Sequence, residues 1–260
     1  TYLYHLSAPC SPTLIILVLD DRITGRQTQL NIPVNGHLPL APADHLPTPA
    51  ATPALEAGQR SPHIWDYPAR PAAQRLVFGP GLVTFSETRV FAAHQSVRIV
   101  EGSRVELVPG TSLIFHGPVH MIGSSSEPIV ITSTTSKEAF GGLALRGPAT
   151  AGSRFEHVRI ERGSLVGDGK KQPIDGVIYP SFLNLYDTED ITISAAHFSQ
   201  ISSAEDVIHA TYVKNLQLHE IDIERAPTDG VDLEFTDGDV RGLRIRGAGD
   251  DCLDLMGAQI

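Results

Sequence analysis

The feature that most constrains this chain is a repeat in its last third. Ile191-Thr-Ile193, Phe198 and Asp206-Val-Ile-His-Ala-Thr-Tyr212 are followed by Leu216-Gln-Leu218, Ile223 and Asp229-Gly-Val-Asp-Leu-Glu-Phe235, then by Val240, Leu243, Ile245 and Asp251-Cys-Leu-Asp-Leu-Met-Gly257. The step from Asp206 to Asp229 is 23 residues and from Asp229 to Asp251 is 22. A unit that short holds several strands and no helix, cannot bury its apolar face alone, and must stack on copies of itself. Short apolar stretches upstream, Val97-Arg-Ile99, Val105-Glu-Leu107 and Leu113-Ile-Phe115, are separated by turns at Gly102, Gly110 and Gly117 and carry the same pattern backwards. The expected fold is all-β, a parallel β-helix over residues 75–260.

Two segments precede it. Residues 1–35 read as strands: Thr13 to Leu19 and Thr28 to Ile32 flank Asp-Asp-Arg-Ile-Thr-Gly, a hairpin pattern. Two strands are not stable alone, so this segment is expected to be part of a β-domain truncated upstream or to dock on the later coils. Residues 36–74 are rich in Pro and Ala and read as a linker with little regular structure, pinned along the solenoid by Trp65 and Tyr67. The last coil lacks a polar or helical cap, so the coils are expected to continue beyond Ile260.

Charge and composition remove several function classes. Twenty basic against thirty acidic residues give a net charge of -10, and 5 basic against 13 acidic residues place -8 of it in 201–260. That disfavours nucleic acid as a partner. The longest apolar run, Leu14 to Leu19, is far too short for a transmembrane helix. Cys10 and Cys252 lie far apart in sequence and suggest neither a disulfide framework nor a thiolate metal site. His116, His120, His157, His197 and His219 have no paired metal-ligand spacing and read as surface or turn residues. The glycines at 141, 142 and 147 do not join a strand to a helix, so no dinucleotide site is expected.

Stacking the repeats in register assigns faces, because strand side chains alternate. Ile208, Val231 and Leu253 form one inward column and Ala210, Leu233 and Leu255 the next. His209, Asp232 and Asp254 then point outward and exposed, with Thr211, Glu234 and Met256 beside them. Strands about 4.8 Å apart hold Asp232 and Asp254 as close like charges, which raises one pKa or recruits a cation such as Ca²⁺; solvated carboxylates that discourage aggregation are the alternative. The excursion Gly163 to Pro180 is expected to wall the groove, with Lys170 and Lys171 placed to contact an anionic saccharide.

Residues 75–260 resemble the right-handed parallel β-helix proteins of the pectate-lyase-like superfamily. Within them, Thr228-Asp229-Gly230 and Asp250-Asp251-Cys252 are similar to the Asn-Thr-Asp-Gly and Asp-Asp-Cys motifs of the polygalacturonases, with Pro227 where that family has Asn. The resemblance implies uronan hydrolysis with inversion, with Asp250 or Asp251 as general acid and Asp229 with the remaining one activating water. Lyase or epimerase chemistry instead needs a base such as His209, Tyr212 or Lys214 beside a neutralised uronate carboxylate. The recurrent Asp-x-apolar-Asp pattern equally suits an aspartate that orders each coil's bend. The chain is therefore expected to be an extracellular, periplasmic or cell-surface protein that binds or acts on a polysaccharide, with no cofactor unless Ca²⁺. His209, Tyr212, Asp232, Glu234 and Asp254 would contact the polymer. The competing expectation is a non-catalytic rod, resembling the β-helical tails of large bacterial surface proteins.

Overall fold

The computed structural model describes residues 2–8, 14–21, 26–33, 74–167, 173–174 and 176–260. The proline-rich stretch with Trp65 and Tyr67, and the Lys170-Lys171 pair, lie outside the described residues.

From Gln74 to Met256 the chain winds into a parallel β-solenoid. One sheet has ten strands; three come from the N-terminus, and the remaining seven are parallel, running Arg89–Phe91, Leu113–Phe115, Leu143–Arg146, Leu183–Glu189, Asp206–Lys214, Asp229–Glu234 and Leu253–Met256. The second sheet is folded along a corner. The first half of Thr192–Ser199 pairs with Arg154–Glu156 and the second half with Val158–Glu161. The bend passes through Ala195 at φ 48, with His157 at φ 50 and Glu220 at φ 54 at the same place in neighbouring coils.

Alternation of side chains builds the core. Leu113, Leu143, Leu183, Ile208, Val231 and Leu253 stack in register as one inward column of the first sheet, and Phe115, Leu145, Leu185, Ala210, Leu233 and Leu255 as the next. All are fully buried except Leu253 and Leu255 in the last coil, which are half-buried. Burying each such aliphatic side chain contributes roughly 1.5–3 kcal/mol, so apolarity at these positions holds the register. The 23- and 22-residue steps thus mark Asp206 pairing with Asp229 and Val231 with Leu253, as the repeat predicts.

The outward column between them changes character along the molecule. It runs Val90, Ile114, Ala144, Asn184, His209, Asp232, Asp254. Ile114 and Ala144 are fully buried although they face away from the core, because Val166 and Tyr179 of the excursion after Gly163 pack over them, with Ile174 and Val177 alongside.

The N-terminal strands close one edge. Leu14–Asp21 pairs antiparallel with Arg26–Pro33, the hairpin the sequence predicts. Tyr2–Ala8 pairs antiparallel with Leu14–Asp21 on one side and with Leu253–Met256 on the other. The last solenoid strand of the first sheet therefore has its ladder satisfied on both edges, and the edge of that sheet passes to Arg26–Pro33. Cys252 is disulfide-bonded, which corrects the expectation drawn from cysteine spacing, whereas Cys10 lies outside the described residues. Among the described residues no helix is long and apolar enough to cross a membrane.

Candidate functional site

The outer face of the first sheet turns polar at Asn184, and a cluster of titratable groups on it centres on His209. Three consecutive coils supply the groups: Tyr186 from Leu183–Glu189; Asp206, His209 and Thr211 from Asp206–Lys214; Asp232 and Glu234 from Asp229–Glu234. Alternation alone predicts that His209, Asp232 and Asp254 are exposed. His209 is instead only 9% exposed, because the Tyr186 ring stands edge-on at 5.5 Å and Asp206, Asp232 and Glu234 enclose the imidazole. Asp232 and Asp254 are half-buried. Tyr186 is itself backed by Tyr179 from the excursion, with ring centroids 5.8 Å apart. The excursion thus does wall this end of the face.

Hydrogen bonds set the imidazole's tautomer. Thr211 Oγ1 donates to Glu234 Oε2 at 3.3 Å, so its lone pairs face His209 Nε2 at 3.0 Å and Nε2 carries the proton. Nδ1 is then an acceptor, and the Tyr186 hydroxyl donates to it at 3.3 Å. Burial holds His209 below its ordinary pKa against the opposing pull of the Glu234 carboxylate, so the ring is neutral at pH 7. Burial chiefly, then the Glu234 and Asp206 carboxylates, holds the Tyr186 phenol above its ordinary value.

The neighbouring carboxyls go the other way. Asp232 is pushed up to about 8 by burial and then by the charges of Asp206, Asp254 and Glu234. Asp206 is pushed up to about 7 by burial, although the Ser181 hydroxyl donates to its Oδ2 at 2.6 Å and opposes the rise. The site therefore holds a neutral imidazole beside a carboxyl that keeps its proton at neutral pH, with His209 Nε2 and Asp232 Oδ2 3.7 Å apart.

The three aspartates of the motif pair lie one step along the strands. Asp229 is the register partner of Asp206, and the Asp251 amide donates to Asp229 Oδ1 at 2.8 Å. Asp229, Asp250 and Asp251 each offer an oxygen within 4.8 Å of the others. Burial, followed by the charges of Asp251, Asp250 and Asp254, raises the Asp229 pKa against the Asp251 amide hydrogen bond. Asp232 and Asp254 are register neighbours, as expected for the Ca²⁺ reading. The ligand atoms that converge belong instead to Asp206, His209 and Asp232 and, separately, to the Asp229, Asp250, Asp251 group.

Beyond Thr211 and Glu234 the coils turn a corner with left-handed backbone in the five layers from Leu143–Arg146 onward: Gly147 at φ 90, Asp187 at φ 50, Tyr212 at φ 55, Phe235 at φ 48 and Gly257 at φ 63. Glycine adopts that conformation without cost, whereas an aromatic side chain there is strained, so Tyr212 and Phe235 sit where packing alone would not put them. Their rings stack at 5.2 Å and 13°, and both are exposed, Tyr212 by 61%. Such an exposed flat pair beside polar groups suits the apolar face of a sugar ring.

Of the residues gathered here, His209, Tyr212, Asp232 and Glu234 are named from the sequence as expected contact residues. Phe235, Tyr186, Thr211 and Ser181 are not, and Asp206 reads there as a bend residue. The signal for Tyr186 lies one coil earlier, where Leu183-Asn-Leu-Tyr186 repeats the alternation and aligns Asn184 with His209 and Tyr186 with Thr211. Two of the histidines that read as surface residues have acidic partners, His197 with Asp222 at 3.2 Å and His219 with Asp239 at 2.8 Å.

Comparison with known proteins adds no relative: no family model, no curated protein and no solved structure matches the chain.

Proposed function

We propose that this protein processes a uronic-acid-containing polysaccharide outside the cytoplasm, by proton abstraction at the site around His209. The observation that carries the reading is a neutral His209, whose Nδ1 accepts from Tyr186, beside Asp232, which keeps its proton at neutral pH. A base and an acid at one pH are what proton abstraction next to a carboxyl group requires. The C5–H bond of a uronate breaks, its proton passing to the Tyr186 oxygen as that hydroxyl passes its own proton to His209 Nδ1. The Asp232 proton is shared with the uronate carboxylate, which takes up the developing charge. In elimination the electron pair then forms the C4–C5 double bond, and the C4–O4 bond breaks as O4 takes a proton from the Tyr186 hydroxyl, which recovers one from His209; in epimerisation a solvent proton reaches C5 from the other face and His209 releases the abstracted one to solvent. The Tyr212–Phe235 stack supports a bound sugar ring beside this cluster. A disulfide at Cys252 fits an oxidising compartment, and the likeness of the repeat to pectate-lyase-like β-helices points the same way.

Hydrolysis is a second reading, favoured by the convergence of Asp229, Asp250 and Asp251 and by their likeness to the polygalacturonase motifs. Each offers an oxygen within 4.8 Å of the others, closer than the roughly 6.5–9.5 Å across which inverting enzymes hold a water, which ranks it second.

A screen of the full chain on acidic and neutral polysaccharides separates these. Ultraviolet absorbance of an unsaturated product, or solvent deuterium at C5, lost in His209→Gln supports proton abstraction. New reducing ends without that absorbance, lost in Asp251→Asn and retained in His209→Gln, replace it with hydrolysis. No turnover of any polymer leaves the stiff, non-catalytic rod.

A further inference from the structure

The second sheet carries a patch of opposite sign to the rest of the molecule. On its outer face Val77 pairs with Arg98, Arg98 with His120, and His120 with Arg154, while Arg75 stands one coil before Ser96. Successive strands lie about 4.8 Å apart, so three guanidinium groups and an imidazole crowd one surface within a few strand spacings. Arg75, Ser96, Arg98, His120 and Ile122 line a concavity of about 400 Å³, within the usual range for a small-ligand site.

Two of the three arginines do not balance carboxylates among the described residues. Arg154 has an ion-pair partner, Glu156. Arg75 and Arg98 have none among the described residues, in a chain with ten more acidic than basic residues. Other outward arginines do find partners: Arg104 with Glu106, Arg241 with Asp239, and Arg246 with Asp222. The clustering is also felt inside the patch. His120 is held below its ordinary pKa by burial and then by the charges of Arg154, Arg98 and Arg75. An imidazole made neutral at physiological pH adds no further repulsion and can turn a ring N–H toward a ligand.

We propose that this concavity is a binding site for an oxyanion, a sulfate, phosphate or carboxylate group, held by the Arg75 and Arg98 guanidinium groups with Ser96 and His120 as neutral hydrogen-bonding partners. Planar guanidinium groups match such oxygens two at a time, and removing like-charge repulsion on a rigid sheet adds to each bond formed. The site is separate from the His209 cluster, which belongs to the other sheet, and does not depend on the reaction proposed there. The oxyanion can be free in solution or a substituent on a glycan; the chemistry recognised is the same.

The full chain with isotope-labelled histidine is titrated with sodium sulfate at constant ionic strength, with sodium chloride as the reference, while the His120 ring resonances are followed. The expected result is a saturable shift of those resonances and a rise in the apparent pKa of His120, because the bound anion offsets the field of the arginines. Arg75→Gln/Arg98→Gln, on two exposed side chains, should weaken the sulfate affinity at least about tenfold, as expected for losing charge-assisted bonds. Because these substitutions also raise the His120 pKa without any anion, the affinity is read from the titration curve rather than from the pKa alone. Parallel titrations with a sulfated oligosaccharide and with a uronate oligosaccharide identify the source. Binding at least tenfold tighter than sulfate assigns the site to a glycan substituent, and equal affinity assigns it to the free ion. His120 resonances that do not respond to sulfate beyond the chloride reference, or that respond identically in the double variant, overturn the proposal.

Discussion

The outer face of the first sheet is two different surfaces built on one backbone. In the early coils its central column is Ile114 and Ala144, fully buried under Val166 and Tyr179 of the excursion. In the late coils the same column is His209, Asp232 and Asp254, with no apolar cover of that kind among the described residues, and burial, followed by neighbouring charge, keeps protons near neutrality on Asp232 and on the adjacent Asp206. The inward columns do not change in kind between the halves. A parallel solenoid thus separates two tasks: inward positions maintain register, and outward positions are free to be a second core or a site. The difference is made by side chains and by where one loop folds back, not by the ladder.

The largest expected effect tests the covered half. Ile114→Ala should destabilise the fold by about 2–5 kcal/mol in chemical denaturation although the residue faces away from the core, as for any buried aliphatic truncation. A loss below about 1 kcal/mol would mean that the excursion does not form a second core. In the open half the matching change falls on activity: His209→Gln should lower turnover by about 100-fold or more on any polymer found to be a substrate, with the melting temperature nearly kept. A parallel loss of folding would make His209 a packing residue.

The burial and crowding of these carboxyls should be visible as pH dependence. Asp206 and Asp232, with pKa values of about 7 and about 8, hold protons more tightly folded than unfolded. Their contribution to stability is complete below roughly pH 4 and is lost as pH rises through their folded values. His209 is shifted down, so its own effect is confined below roughly pH 6.5, where the unfolded imidazole begins to take up a proton. Between pH 7 and 9 the melting temperature should therefore fall, and Asp232→Asn should flatten the fall. An identical slope in that variant would show that Asp232 is ionised throughout.

The smallest effect sits at the rim. Tyr212→Ala and Phe235→Ala each remove one ring of a pair worth roughly 0.5–1.5 kcal/mol. Polymer affinity measured by calorimetry should fall several-fold, with stability changed by less than about 1 kcal/mol. Unchanged affinity in both would place the polymer elsewhere.

The contrast between the two halves is only partly legible in the sequence. The solenoid, its inward columns and the pairing of Asp206 with Asp229 follow from a repeat period and strict alternation, because a one-residue slip would turn Val231 and Leu253 out of the core. The convergence of Asp229, Asp250 and Asp251 follows from the same register. The burial of His209 does not, because alternation gives the side of the sheet and not what covers it; Tyr186, one coil back, does the covering.

By itself the sequence determined the parallel stack, its period and the side of the sheet on which each repeat residue lies, since these depend on local alternation and on apolar burial that recurs every coil. Only the tertiary structure decided the rest. The return of Tyr2–Ala8 to Leu253–Met256 brings opposite ends of the chain into one ladder. The folding of the excursion over Ile114 buries an outward residue. The meeting of Tyr186, His209 and Asp232 from three coils splits their proton affinities. Each depends on contacts between residues far apart along the chain, whose burial and mutual charge no local pattern records.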